Sequence, residues 1–120
     1  QKKVEQALKA VHMDDYAGRN PYHLSSGEKK RISIATVLSM QPKILALDEP
    51  TAGLDPRARR ELIELLLELS QTMLIATHDL DMVEQLTTRT ILLNRGKIAA
   101  DGPSVSILRN EDLLKVNGLI

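Results

Sequence analysis

Cysteine is absent from the 120-residue chain, which excludes disulfides and cysteine–zinc sites and agrees with a reducing compartment. Phenylalanine and tryptophan are absent as well, and tyrosine occurs only at Tyr16 and Tyr22. Leu, Ile, Val, Ala and Met therefore have to build the core. No apolar run is long: "ILAL", "MLIA" and "LLL" are typical, far short of the roughly 20 residues a membrane-spanning helix needs. The N-terminus carries no signal-peptide pattern. Neither charge sign dominates, with 16 basic against 16 acidic residues, so nothing points to a polyanion such as nucleic acid. Internal repeats, low-complexity tracts and domain-dividing linkers are also lacking. The length suits one domain, able to bury about two-thirds of the surface of its unfolded chain. A start at Gln1 rather than Met reads as a piece of something longer.

The pattern of what is present is α/β. Val4, Ala7, Leu8 and Val11 recur at helical spacing and predict an amphipathic helix over about residues 2–15. "AGRNPYHL" breaks it, because Gly18, Asn20 and Pro21 are turn formers. Residues 26–40 read as a second helix with a wide apolar face of Ile32, Ile34, Ala35, Val37 and Leu38, and Pro42 lies just beyond it. Ile44 to Leu47 are too few for a helix between Pro42 and Pro50 and fit a strand buried on both faces. Residues 56–70 return to helix, with Pro56 in the first turn and Leu62, Leu65, Leu66 and Leu69 on one side. "MLIAT" (73–77) is a second short buried strand, and "DLDMVEQLT" a helix with Leu80, Val83 and Leu86 inward. "RTILLNRGKIAAD" alternates around Arg95-Gly96 as a β-hairpin does. From Pro103 onward one or two short helices follow. Strand, helix, strand, helix is the signature of parallel strands covered by helices.

Polar residues gather at two places in this layout. "HLSSGEKKR" (23–31) opens the second helix. Its serines accept hydrogen bonds from the free N–H groups of a first turn, and Glu28 suits the positive end of the helix dipole. The same donors also suit a phosphate. The second place is the carboxyl ends of the strands, where open α/β sheets bind ligands. Asp48-Glu49 follows "ILAL", and Thr77-His78-Asp79 follows "MLIA". A carboxylate there suits Mg²⁺, a hard cation that takes oxygen ligands and keeps waters. In that chemistry Asp48 holds the metal directly or through water, Glu49 polarises a water for attack on phosphorus, and His78 contacts the terminal phosphate and that water. Each residue alone also has an ordinary reading, as a cap, a turn or a core histidine.

The order "LSSGEKKR", "ILALDEP", "AGLDP", "ATHD" resembles the C-terminal half of an ABC-type ATPase nucleotide-binding domain, a P-loop NTPase fold. The resemblance runs from about residue 4 to the end. It implies that Leu24-Ser25-Ser26-Gly27-Glu28 is the signature sequence, usually written LSGGQ. Ser26 stands for the first glycine and Glu28 for the glutamine. Asp48 then matches the Walker B aspartate, Glu49 the catalytic glutamate, Ala52, Gly53, Leu54 and Asp55 the D-loop, and His78 the switch histidine. Residues 1–40 would be the end of the helical subdomain and 41–120 the core from Walker B onward. The family binds ATP and Mg²⁺ and works as a homo- or heterodimer in which each signature faces the nucleotide of the opposite protomer. "SGEKKRISIATVLSMQPKILALDEPTAGLDP", with "ATHDLDMV" and "LLNRGKIAADGP", is most similar to ATPase subunits of cobalt/nickel or energy-coupling-factor vitamin importers. That implies an integral membrane partner and a cytoplasmic, peripheral place on the inner face of the membrane.

A phosphate-binding loop needs G-x-x-x-x-G-K-[ST]. Gly96-Lys97 is the lone Gly-Lys pair, but Ile98 follows it and Ile91 stands where the first glycine belongs. The family's Q-loop and adenine-stacking aromatic are missing too, so the resemblance implies that about the first half of such a domain lies outside this chain. Two expectations follow. The chain alone does not hydrolyse ATP, and unpaired strand edges favour self-association or a rearranged fold. A nucleic-acid-directed ABC ATPase of DNA repair, chromosome structure or translation is the competing reading. It calls for coiled-coil insertions or basic surfaces, and this sequence offers neither. A catalytically inert piece, offering at most its signature to a complete partner, is the third.

Overall fold

The computed structural model describes residues 2–16 and 23–120, so the turn expected at Gly18, Asn20 and Pro21 lies outside the described residues. The elements run α1 (Lys2–Ala10), a 3-10 turn (Asp14–Tyr16), α2 (Ser26–Leu38), β1 (Ile44–Asp48), α3 (Pro56–Glu68), β2 (Thr72–Ala76), α4 (Leu80–Leu86), β3 (Arg89–Asn94), β4 (Lys97–Pro103), α5 (Ser104–Leu108) and α6 (Glu111–Val116). The expected alternation of strand and helix is present. Two compact units divide it, Gln1–Ala76 and Thr77–Ile120.

In the first unit β1 and β2 run parallel, from Ile44 opposite Thr72 to Asp48 opposite Ala76. Parallel neighbours need a crossover, and α3 provides it. Leu45, Leu47, Met73 and Ile75 point to the covered face, where Leu47 shares a groove with Ile34 of α2 and Leu62 of α3. The other face is bare. Ile44 is 64% exposed and Leu74 67%, and Ala46 and Ala76 are exposed between them. Burial on both faces, the expectation from the apolar run, is therefore not met. Among the described residues β1 and β2 pair only with each other, and helices cover one face.

The helix ends have identifiable causes. α1 stops at Ala10, five residues before the expected end. His12 adopts a left-handed backbone (φ 57°), with His12 N–H donating to Lys9 O at 3.1 Å and Met13 N–H to Leu8 O at 2.8 Å. That is a Schellman closure with histidine at the position glycine usually takes, and the buried Leu8 and Met13 supply its apolar contact. At the opening ends, Ser25, Asp55, Asp79 and Asn110 each accept the N–H three residues on, at 2.8 to 3.2 Å. α2 buries Gly27, Ile34, Ala35 and Leu38, a narrower face than expected, because Val37 is exposed. α3 buries Leu62, Ile63, Leu65 and Leu66, with Ile63 in the place expected for Leu69.

Glu61 of α3 ties two helices together. It accepts from Arg57 one turn earlier at 2.8 Å and from Arg31 of α2. The Arg57 hydrogen bond, then the Arg31 one, hold its carboxyl below the ordinary value of 4.5. A carboxyl depressed on folding stabilises above its unfolded pKa and loses that contribution as pH falls through the folded one. Glu61→Gln is therefore expected to flatten the acid limb of the chain's stability curve below pH 4.5. Urea titrations at stepped pH read this directly. An unchanged limb would mean that the network contributes nothing in solution.

The second unit is a hairpin with three short helices, α4, α5 and α6. β3 and β4 are antiparallel, with a bulge between Leu92 and Leu93. Arg95 and Gly96 both have positive φ (50° and 75°), as a type I′ hairpin turn requires. Leu92, Ile107 and Leu114 form the core, packed by Leu80, Ala100, Leu113 and Leu119. Ser104, almost fully buried, exchanges 2.7 Å hydroxyl bonds with Thr87 and Thr90, so its polar group costs little. On the exposed face Arg89 grips Asp101 through two nitrogens, at 2.9 and 2.8 Å.

Candidate functional site

The N-terminus of α2 is closed by a reciprocal pair. Ser25 Oγ accepts the Glu28 N–H at 3.2 Å, and the Ser25 N–H donates to Glu28 Oε1 at 3.2 Å. Of the two uses the sequence left open, this geometry realises capping. Phosphate contact is still open to the site, since the serine hydroxyl has spent an acceptor lone pair and keeps its proton for a further acceptor. Glu28 places a carboxylate at the positive helix end, where an incoming phosphate would also settle. Ser25→Ala is expected to cost about 1 kcal/mol and Ser25→Asp almost nothing. Equal urea midpoints for Ser25→Ala and the unaltered chain would show that the cap carries no stability.

Gly27 is buried because α2 and α3 approach each other closely there. A Cβ on Gly27 would lie 3.1 Å from the Ala58 Cβ. One turn further along, Arg31 reaches Glu61. The segment bearing Ser25, Ser26, Gly27 and Glu28 is thus pressed against the start of α3, whose N-cap is Asp55.

Asp48 ends β1 and is exposed; Glu49 follows, half-buried. Glu49 has φ 46°, a left-handed backbone that costs a non-glycine residue about 1–3 kcal/mol. Three bonds hold it there. Its N–H donates to Ala76 O at 2.8 Å, and its carbonyl accepts from the Ala52 N–H at 3.1 Å and from Lys30 Nζ at 3.2 Å. Leu54 N–H then donates to Thr51 O at 3.3 Å, Gly53 takes φ 74°, and Asp55 Oδ1 accepts the Ala58 N–H at 2.8 Å. Residues 49–55 are therefore a short set of turns that delivers Gly53, Leu54 and Asp55 to the head of α3.

The first unit brings together the signature candidates, Asp48, Glu49 and the D-loop candidates. His78 belongs to the second unit. It is exposed and sits between Thr77, whose Oγ1 accepts the Asp79 N–H at 3.0 Å, and Asp79, which caps α4. Lys30 and Arg31 are both bonded to other elements, and the sequence pattern gives no sign of it. Nothing in a run of four charges marks which of them turn inward.

Among the described residues no three His, Asp or Glu side chains gather as a metal site. Magnesium held with a nucleotide needs only one or two carboxylates, the remaining positions going to phosphate oxygens and water. A single exposed aspartate at a strand end fits that donor set.

A protein of Gloeobacter violaceus, described as "Putative ABC transporter ATP-binding protein", is 54% identical over 118 residues, which are 97% of this chain and 48% of that protein. The energy-coupling factor transporter ATP-binding protein EcfA of Carboxydothermus hydrogenoformans is 47% identical over 121 residues, 98% of this chain and 44% of EcfA. The solved structure of CbiO1 from Clostridium perfringens, part of the ABC transporter complex cbiONQ, superposes with a TM-score of 0.83 at 37% identity. That match covers 98% of this chain and 49% of CbiO1.

The chain belongs to the ABC-type ATPases. Residues 2–83 also match the family model described as "AAA domain, putative AbiEii toxin, Type IV TA system", and the chain belongs to that AAA-domain family too. This ABC-type ATPase chain spans about half the length of the curated relatives it matches. Its α/β arrangement is the fold of its structural neighbours over that half. No described helix of the ABC-type ATPase chain is long and apolar enough to cross a membrane.

Proposed function

We propose that the chain is the C-terminal part of an ABC transporter ATP-binding subunit that powers import by binding and hydrolysing ATP at a dimer interface. One observation carries the proposal: the α2 N-terminus, the Asp48-Glu49 strand end and the 53–55 turn are joined in one unit by named contacts, in the order the family uses them. In this reading residues 1–40 close the helical subdomain and 41–120 form the core. The bare face of β1 and β2 agrees with it, since parallel sheets are normally covered on both faces and two strands are marginal alone.

Ser25, Ser26, Gly27 and Glu28 face the nucleotide bound by the opposite protomer, with backbone N–H groups and the Ser25 hydroxyl as donors to phosphate. Glu49 orients and polarises the attacking water, and His78 contacts the terminal phosphate and that water. Gly53, Leu54 and Asp55 line the dimer seam. Asp48 would hold Mg²⁺, directly or through water, and the bound ion supplies charge neutralisation on the phosphates. The work left to the protein is mostly positioning. The partners are a second ABC ATPase domain and an integral membrane subunit, with the chain peripheral on the cytoplasmic face. Likeness to EcfA and CbiO1 supports an importer of the energy-coupling-factor or cobalt/nickel kind.

A chimera tests the proposal. This chain replaces the matching part of the Carboxydothermus hydrogenoformans EcfA, which then contributes the other half of the domain. Mg²⁺-dependent phosphate release from the chimera, and none from the isolated chain, is the expected pair of results. A folded chimera that neither dimerises with ATP nor releases phosphate would overturn the reading. Phosphate release by the isolated chain that disappears in Glu49→Gln would overturn its dependence on a second half.

A further inference from the structure

We propose that Lys30 is a positioning residue that ties the opening of α2 to the backbone of Glu49, so that what happens at one nucleotide is felt at the other. The inference rests on the functional reading above and goes beyond it by assigning a role to a side chain beyond the signature residues Leu24 to Glu28.

Glu49 shares a left-handed backbone with His12 and Gln41 in the first unit, and of the three it is the one at the candidate site. Two of the bonds that hold it, from its N–H to Ala76 O and to its carbonyl from Ala52 N–H, come from the neighbouring strand and from its own turn. The third comes from a different element, Lys30 Nζ on α2 at 3.2 Å. Lys30 stands five residues after the N-cap Ser25, in the first turns of a 13-residue helix. Its side chain is half-buried and lines a groove with Ile34, Leu47 and Pro50, where the aliphatic stem packs on apolar walls and the ammonium reaches the far side. A cationic donor makes a stronger bond than a neutral one. The neighbouring Lys29 lines the same groove but is exposed, which sets the two lysines apart.

A helix moves as one body over two turns. A displacement of Ser25–Glu28 by a phosphate is therefore a displacement of Lys30, and Lys30 hands it to the carbonyl of the residue that activates water. In a dimer the two ends of this link serve different nucleotides. The signature touches the one held by the partner, and Glu49 acts on the one held by its own protomer. Lys30 is then a route by which one site sets the geometry of the other, and its loss uncouples them.

The test uses the EcfA chimera, with Lys30→Met to remove the donor while keeping the stem and Lys30→Arg to restore a cationic donor. Lys30→Met is expected to lower kcat about 10- to 100-fold and to bring the Hill coefficient for ATP down to about 1. Half-saturating ATP should move by less than about threefold. Lys30→Arg is expected to recover both kcat and cooperativity. In parallel, the 15N-labelled chain reports on the link without nucleotide: Lys30→Met shifts the Glu49 and Ala52 amides while the α2 amides after residue 31 stay in place. Unchanged cooperativity in an active chimera overturns the inference, and so do unmoved Glu49 and Ala52 amides. A Lys30→Met loss that Lys30→Arg does not recover overturns it too, because the stem and not the donor would then matter. An unaltered chimera without hydrolysis counts against the functional reading instead, and the amide shifts then decide the Lys30 link alone.

Discussion

Glu49→Gln in the EcfA chimera is expected to reduce Mg-ATP hydrolysis by about 10²-fold or more while ATP-dependent dimerisation survives. The substitution keeps the side-chain shape and one acceptor oxygen, and removes the negative charge and basicity that polarise water. It also leaves the main chain as it was, with the Ala76, Ala52 and Lys30 bonds on the Glu49 peptide groups in place, so a loss of rate cannot be blamed on a collapsed turn. Phosphate release gives the rate, and sedimentation with Mg-ATP gives the dimer. Hydrolysis within about threefold of the unaltered chimera would remove Glu49 from the mechanism. Loss of both readouts would mean that Glu49 organises the seam rather than the water.

Gly27→Val is expected to destabilise the chain by about 1–3 kcal/mol through overpacking. Two effects oppose each other at this position. Replacing a helical glycine normally gains up to about 1 kcal/mol, but a β-branched residue keeps little of that gain. Against it stands the Ala58 Cβ, 3.1 Å from where a Cβ would be built. Ala58 has no rotamer to turn away, so α2 and α3 have to part, and the Arg31–Glu61 pair stretches with them. The clash wins. Urea titration measures the loss, and Ala58→Gly in the same chain is expected to return part of it. A Gly27→Val chain as stable as the original would mean that the helices separate freely, and the glycine would then be explained by phosphate approach alone.

The sequence carries the arrangement well where a local rule decides it. Ser25 and Glu28 at i and i+3, Pro56 behind Asp55, and the alternation around Arg95-Gly96 state their structures outright, because caps and turns depend on a few neighbouring residues. It carries less where a residue does an unusual job. His12 ends α1 in a conformation that glycine normally takes, so no glycine marks the stop. The bare side of β1 and β2 is a matter of how many strands stand beside them, which a run such as "ILAL" does not encode; the run anticipates a wider sheet than these residues make. The candidate site shows the same division. Its motifs are readable in order, while Lys30 and Glu61 become visible only when separate elements are packed, since the reach of a long charged side chain leaves no periodic trace. Pro50 is a partial exception, because a following proline disfavours right-handed helix at Glu49.

The two strand pairs differ in how far apart their partners lie along the chain. β3 and β4 meet across Arg95-Gly96, whereas β1 reaches β2 only after all of α3 has been made. Closing a longer loop costs more entropy before any contact repays it. The hairpin, with α5 and α6 next to it in sequence, should therefore acquire protected amides first, and the parallel pair last. Pulse-labelled hydrogen exchange during refolding would show Leu92 protected ahead of Leu45. During that interval β1, which ends at Asp48 and leads into Glu49, is the strand still unpaired, which makes it the segment a chaperone would meet.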